Sequence, residues 1–203
     1  PKQSFCNKSQ KACLNRWGKI IQIMKILIIA ITKSLAIPRL AHFVLDGCKQ
    51  AGETAQILPI KAQSSLKGYF GLHEKKSGVI EDLASFDLIF LGFEIPSFLE
   101  NPQLLKIIQS NNFEGSKLAL FGSYSKKSNY LEKIEKSLRE KGASVLGTIG
   151  LKRIGLASIV GKGSHSETDH ARVQAFTERT INNLLGRHIS KDSEKSQIRN
   201  YRK

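Results

Sequence analysis

The residues best placed to do chemistry are Thr32, Lys33 and Ser34. They lie between an unbroken apolar run, Ile26 to Ile31, and Pro38, where a helical pattern begins. Amides at a helix start and hydroxyls just before it converge on one point, which suits a phosphate. Other chemistries are less well supplied. Ser34 stands in a strand-to-helix turn, as a nucleophile elbow requires, but the flanking glycines are missing. There is no glycine-rich dinucleotide fingerprint and no phosphate-binding lysine loop. His165 and His170 flank a helix start without a third ligand nearby in sequence, so a capping or surface role is expected. Cys6, Cys13 and Cys48 form an odd set without zinc-knuckle spacing. A reducing, cytoplasmic setting is therefore the expectation, with Cys48 a small buried hydrophobe within a helix.

Positioning the hydroxyl segment requires a strand before it and a helix after it, and the pattern repeats along the chain. Ile26–Ile31 reads as a strand buried on both faces, too short to span a membrane. Leu40, Phe43, Val44 and Gly47 recur at helical spacing from Pro38, and Gly52 ends that helix. Ala55–Ile60 is a second strand with Pro59 near its end. Residues 61–80 lack a clear period and read as loop with a short helix. Asp87 to Gly92 is a third strand stopped by glycine. A loop over Phe93–Pro102 leads to a helix with Leu104, Leu105 and Ile108. Lys117–Phe121 is a fourth strand closed by Gly122, and the loop Ser123–Ser128 follows. The next helix turns Leu131, Ile134 and Leu138 inward and can pair Glu132 with Lys136 and Glu135 with Arg139. Gly142 caps it, and Ser144–Leu146 is the fifth strand. Residues 147–164 are glycine-rich and unassigned. Ser166 and Asp169 form a capping-box start for a last helix with Val173, Phe176 and Leu184 as its buried stripe and Thr180 between. Short apolar strands alternating with helices predict a parallel sheet covered on both faces, with ligands outside the carboxyl ends of the strands.

The 203 residues suit one domain with extensions, and no stretch qualifies as a membrane span. The net charge is +15, but residues 1–23 contribute +5, residues 186–203 contribute +4, and the middle only +6. More than half of the excess thus sits in two basic tails, which disfavours a nucleic-acid-binding stripe on the domain itself. Met24 is the only methionine. The expected organisation is a basic extension or upstream segment over 1–23, one domain over 24–185, and a basic tail over 186–203.

Five stretches together resemble the flavodoxin-like family: MKILIIAIT for its first strand, DLIFLGF for the third and its turn, and KLALFGSY for the fourth and its loop. LREKGASVLG resembles the fourth helix running into strand five, and HSETDHARVQAF the start of the last helix. The resemblance implies a doubly wound α/β fold with a five-stranded parallel sheet in the order 2-1-3-4-5, helices on both faces. It also implies flavin mononucleotide (FMN) as cofactor and a role in electron transfer. The family's phosphate loop, Ser/Thr-x-Ser/Thr-Gly-Asn-Thr, aligns with Thr32, Lys33, Ser34, Leu35, Ala36 and Ile37. Two hydroxyl positions match. Leu35 replaces the glycine, Ile37 replaces the last hydroxyl, and Pro38 removes an amide donor, while Lys33 offers a charge. In the loop that clasps the ring, Gly92 and Phe93 match, but Glu94 stands where an aromatic is common, and a carboxylate there opposes the charge built up on reduction. Phe98 is a further stacking candidate. The third loop keeps Gly122 and Ser123, with Tyr124 as the aromatic for the other ring face. The alternative for Phe93, Phe98 and Tyr124 is that they merely cap the sheet end.

The expectation is an FMN-binding electron-transfer protein or small flavin-dependent reductase, working with an acidic redox partner protein. The alternative is a flavin-free module of the same fold that binds a partner, favoured by Leu35, Ile37, Pro38 and Glu94. Nucleic-acid binding through the tails ranks third. Oligomeric state is not encoded in any motif.

Overall fold

The computed structural model describes residues 24–32, 36–61, 80, 82–95, 101–125, 129–152 and 166–187. The first apolar run becomes β1 (Lys25–Thr32), with six consecutive buried residues, as a strand covered on both sides demands. Helix α1 (Ala36–Gln50) follows, then β2 (Thr54–Lys61), a 3₁₀ turn at Leu83–Ser85, β3 (Leu88–Ile95) and α2 (Pro102–Ser110). The chain continues through β4 (Lys117–Tyr124), α3 (Tyr130–Glu140), β5 (Ser144–Lys152) and α4 (Glu167–Leu184). The five strands form one parallel sheet in the order β2-β1-β3-β4-β5, as expected.

Alternate side chains feed two cores. On one face Ile28, Ala30, Phe90 and Phe121 pack beneath Leu40 and Val44 of α1 and Val173 and Ile181 of α4. On the other, Ile29, Leu91, Phe93 and Leu120 meet Leu104 and Ile107 of α2 and Ile134 and Leu138 of α3. The helices are thus fixed by their stripes. Asn101 caps α2, its side chain accepting from the Leu104 amide at 3.3 Å. The expected capping box of α4 is present in full: Ser166 Oγ accepts from the Asp169 amide and Asp169 Oδ2 from the Ser166 amide, both at 3.2 Å. Gly52 and Gly142, at φ +79° and +81°, close α1 and α3 in the left-handed region that glycine tolerates.

The strand ends differ from the sequence reading. β3 does not stop at Gly92 but runs to Ile95, and β4 does not stop at Gly122 but runs to Tyr124. Both glycines are sites of close packing. A Cβ on Gly92 would lie 2.1 Å from the Phe121 ring, and one on Gly122 2.7 Å from Ile95 Cδ1. β5 likewise passes through Gly147 and Gly150 to Lys152, making room for Phe176 and Tyr124. Helix α1 begins at Ala36, two residues before the expected Pro38, because Ala36 and Ile37 are themselves buried. Pro59 sits inside β2, which tolerates it as an edge strand. On α3, Glu135 pairs with Arg139 at 2.9 Å as expected, but Lys136 meets Glu140 at 3.9 Å rather than Glu132. On α4, Thr177 joins the buried stripe because it packs against Gly47. The predicted loop and short helix over 61–80 fall almost wholly outside the described residues, as do 153–164.

Candidate functional site

The sheet winds one way from β1 to β2 and the other way from β1 to β3, so the order reverses at the β1/β3 boundary. The crevice at the carboxyl ends of these strands is where parallel sheets of this kind accept ligands. Thr32, half-buried, is the last residue of β1, and α1 opens four residues later at Ala36. The first turn of α1 therefore presents its amino end at that crevice. Ala36 and Ile37 are turned into the structure, at 5% and 0% exposure, so they can offer backbone but no side-chain chemistry. Lys33, Ser34 and Leu35, and the stacking candidate Phe98, lie outside the described residues.

The register brings the other candidates to the same edge. Phe93 stands opposite Gly122, Glu94 opposite Ser123, and Ile95 opposite Tyr124, which in turn neighbours Lys152 of β5. Their roles differ. Phe93 is fully buried with its ring edge-on to Tyr130, centroids 6.2 Å apart, and forms part of the core beneath α2 and α3. It presents no free face for stacking. Glu94 alternates to the opposite face and is half-buried, while Ser123 is fully buried. Tyr124 is half-buried at the end of β4 and is the one described aromatic candidate with part of its surface open. The space a Cβ would take at Gly92 and Gly122 is filled by Phe121 and Ile95, so both glycines are required by packing.

Two further residues belong here that the sequence reading passed over. Asn101 is buried and ties α2 to the edge: its amide donates to Tyr130 Oη at 2.9 Å, and its Nδ2 reaches the Glu94 carbonyl at 3.5 Å. Gln103, two residues on, is also buried, and its Nε2 has no hydrogen-bond partner. Their signal was present but quiet: Gln103 heads the buried stripe Gln103, Leu104, Ile107, Ile108, where an apolar residue would be ordinary.

His170, expected at the surface, sits on α4 with its ring 4.3 Å from that of Phe43. Its Nε2 lies 3.4 Å from Asp46 Oδ2, close enough for an ion pair when protonated but without hydrogen-bond alignment. A cavity of about 400 Å³, lined by Lys25, Thr54, Gln56 and Phe86 among others, opens at the amino end of the sheet, opposite the candidate site. No helix among the described residues is long and apolar enough to cross a membrane.

Comparison with solved structures agrees with this architecture. An archaeal flavodoxin superposes with a TM-score of 0.55 at 15% identity, over 80% of this chain and 99% of that one. The Streptococcus pneumoniae TIGR4 flavodoxin gives 0.54 at 12% identity, over 78% and 99%. A putative flavoprotein from Bacteroides eggerthii gives 0.53 at 15%, over 78% and 98%. No protein-family model matches the chain, and no curated protein matches it. The fold is flavodoxin-like.

Proposed function

We propose that the carboxyl edge of the sheet binds FMN noncovalently and that the protein serves in electron transfer, alone or as a small reductase. The observation that carries this reading is the meeting of Thr32 and the amino end of α1 with the ends of β3 and β4 at the reversal of strand order. Fold alone does not assign function, so the reading rests on what the residues at this edge can do. The helix start and Thr32 supply donors for a phosphate. Tyr124, half-buried at the end of β4, supplies an aromatic surface. FMN, when bound, supplies the one- and two-electron chemistry; the chain's task is to hold it, orient it and keep water away. Glu94, beside Ser123, disfavours added negative charge and so favours a low potential.

An acidic redox partner suits the same edge. Lys152 ends β5, and Lys126, Lys127 and Arg153 follow β4 and β5 in sequence.

A flavin-free, partner-binding module is the second reading. It is favoured by the burial of Phe93 and by the filled space at Gly92 and Gly122.

A titration of the full chain with FMN at physiological salt, followed by absorbance and flavin fluorescence, separates the two. Saturable quenching is expected, weakened ~5–10-fold by Thr32→Ala, about the worth of one hydrogen bond. Absence of binding at high micromolar FMN would overturn the flavin reading and leave the partner-binding one.

A further inference from the structure

His170 is the fourth residue of α4, and its ring stacks on Phe43 of α1, with centroids 4.3 Å apart and planes at 38°. Arg39 lies over the same Phe43 ring at 5.7 Å. With the imidazole so placed, Nε2 is shielded from solvent and makes no hydrogen bond among the described residues. Asp46 Oδ2 lies 3.4 Å from it. A neutral imidazole leaves this nitrogen uncompensated, at the usual cost of a buried polar atom. A protonated one turns the same contact into an ion pair. The helices do not explain either residue. Asp46 stands near the carboxyl end of α1 and His170 near the amino end of α4, so each charge opposes its own helix dipole. Only the contact across the seam favours both. Lys49 also reaches Asp46, Nζ to Oδ1 at 3.5 Å, and leaves Oδ2 to His170.

We propose that His170 and Asp46 form a proton-operated latch between α4 and α1, open when the imidazole is neutral and closed when it is protonated. The latch does not depend on the flavin reading. Further along the seam the two helices are fixed by close packing, since a Cβ on Gly47 would lie 2.7 Å from Thr177 Cβ. The latch therefore governs the head of α4 rather than the whole helix. The charged and titratable groups around the pair are Arg39, His42 and Lys49 on α1, with Glu167, Asp169 and Arg172 on α4. Arg172 is engaged with Asp169 at 3.6 Å. Lysine, arginine and carboxylate side chains ordinarily hold one charge state between about pH 5.5 and about pH 8.5, so a histidine must make the contact pH-dependent. His42, one turn before Asp46 on α1, is the rival to His170.

The test is thermal unfolding of the full chain, of Asp46→Asn, of His170→Phe (which keeps a ring against Phe43) and of the double variant, at about pH 5.5 and about pH 8.5. At the lower pH, Asp46→Asn is expected to melt roughly 1–3 °C below wild type, the worth of a part-exposed ion pair in a domain of this size. In the His170→Phe background that deficit should vanish. At the higher pH the two substitutions should act additively. Coupling of equal size at both pH values would overturn the proposal, since the contact would then not depend on the proton. Absence of coupling at both would overturn it as well. A deficit that persists in His170→Phe assigns the proton to His42 and overturns it too. His42→Gln, at an exposed position, decides the same point should His170→Phe fail to fold: the pH-dependent deficit of Asp46→Asn must survive it. Hydrogen exchange at about pH 5.5 then locates the effect. Amides in the first turns of α4 should exchange about 2–5-fold faster in Asp46→Asn than in wild type, with those of α3 unchanged. Equal exchange at the head of α4 would leave no latch.

Discussion

Gly92 and Phe121 make the tightest glycine contact among those described, since a Cβ on Gly92 would sit 2.1 Å from the ring. Phe121 is fully buried and cannot swing away. Gly92→Ala is therefore expected to destabilise the fold by ~1–3 kcal/mol through overpacking, read from urea unfolding. Adding Phe121→Leu should recover part of that loss, because the two side chains compete for one volume. Cys48 is another residue-scale case. It is fully buried on α1, and desolvation, helped by the charge of Glu53, pushes its thiol up to about 12. The thiolate is the reactive form, so alkylation of Cys48 by iodoacetamide at pH 8 is expected only after unfolding, as peptide mapping would show. Because the folded value is raised, this group's contribution is fully present below the ordinary thiol value and is lost as pH climbs toward 12. The loss is on the order of 1 kcal/mol per pH unit over that window. Cys48→Ala should flatten this alkaline limb of the stability profile.

Among the elements, α4 carries its own start signal and α1 carries its own stop. The Ser166–Asp169 box satisfies two amides at the head of an 18-residue helix. Ser166→Ala is expected to cost ~1 kcal/mol, within the usual range for removal of an N-cap, measured by thermal unfolding. The packing of α1 on α4 depends on Gly47, where a Cβ would meet Thr177 Cβ at 2.7 Å. Thr177 is in turn held by its hydroxyl donating to the Val173 carbonyl at 2.9 Å. The start of α4 and the ends of α1 and α3 were legible in the sequence because caps are local: Ser166, Asp169, Gly52 and Gly142 each act within one turn. The extent of β3, β4 and β5 was not. A glycine that ends a strand and a glycine that lets a neighbouring ring approach look alike without the neighbour, and Gly92, Gly122, Gly147 and Gly150 are of the second kind.

Across the whole molecule, Glu53 closes the amino end of the sheet. The residue is buried at 6% exposure; Oε2 accepts from the Met24 amide at 3.0 Å, and Oε1 lies 3.6 Å from an Arg187 guanidinium nitrogen. One carboxylate thus joins the start of β1, the turn before β2 and the residues after α4. Glu53→Ala leaves a buried amide without its acceptor and should cost ~2 kcal/mol. Arg187→Ala removes only a half-exposed partner and should cost less than ~1 kcal/mol, both read from chemical denaturation. Charge is distributed on the same scale. The described residues carry 14 Lys and Arg against 12 Asp and Glu, so nearly all of the +15 lies elsewhere in the sequence. A salt-sensitive association is thereby expected to depend on those basic stretches, such as 1–23 and 188–203, rather than on the described helical faces.

The sequence by itself determined the class of fold. Five short apolar runs separated by amphipathic segments can be buried only as a parallel sheet with helices on both sides, since strands apolar on both faces must be covered twice. It also placed the hydroxyl of Thr32 and the helix start behind it at the carboxyl edge of that sheet. Tertiary structure alone decided which candidates face that edge. Phe93 belongs to the core because Tyr130 and the α2–α3 layer cover its face of β3. Gly92 and Gly122 belong to packing because Phe121 and Ile95 arrive from neighbouring positions. Gln103 stands out as a buried side chain with an unpaired Nε2 only once its surroundings are known, because an unmade hydrogen bond is defined by neighbours that no local spacing names.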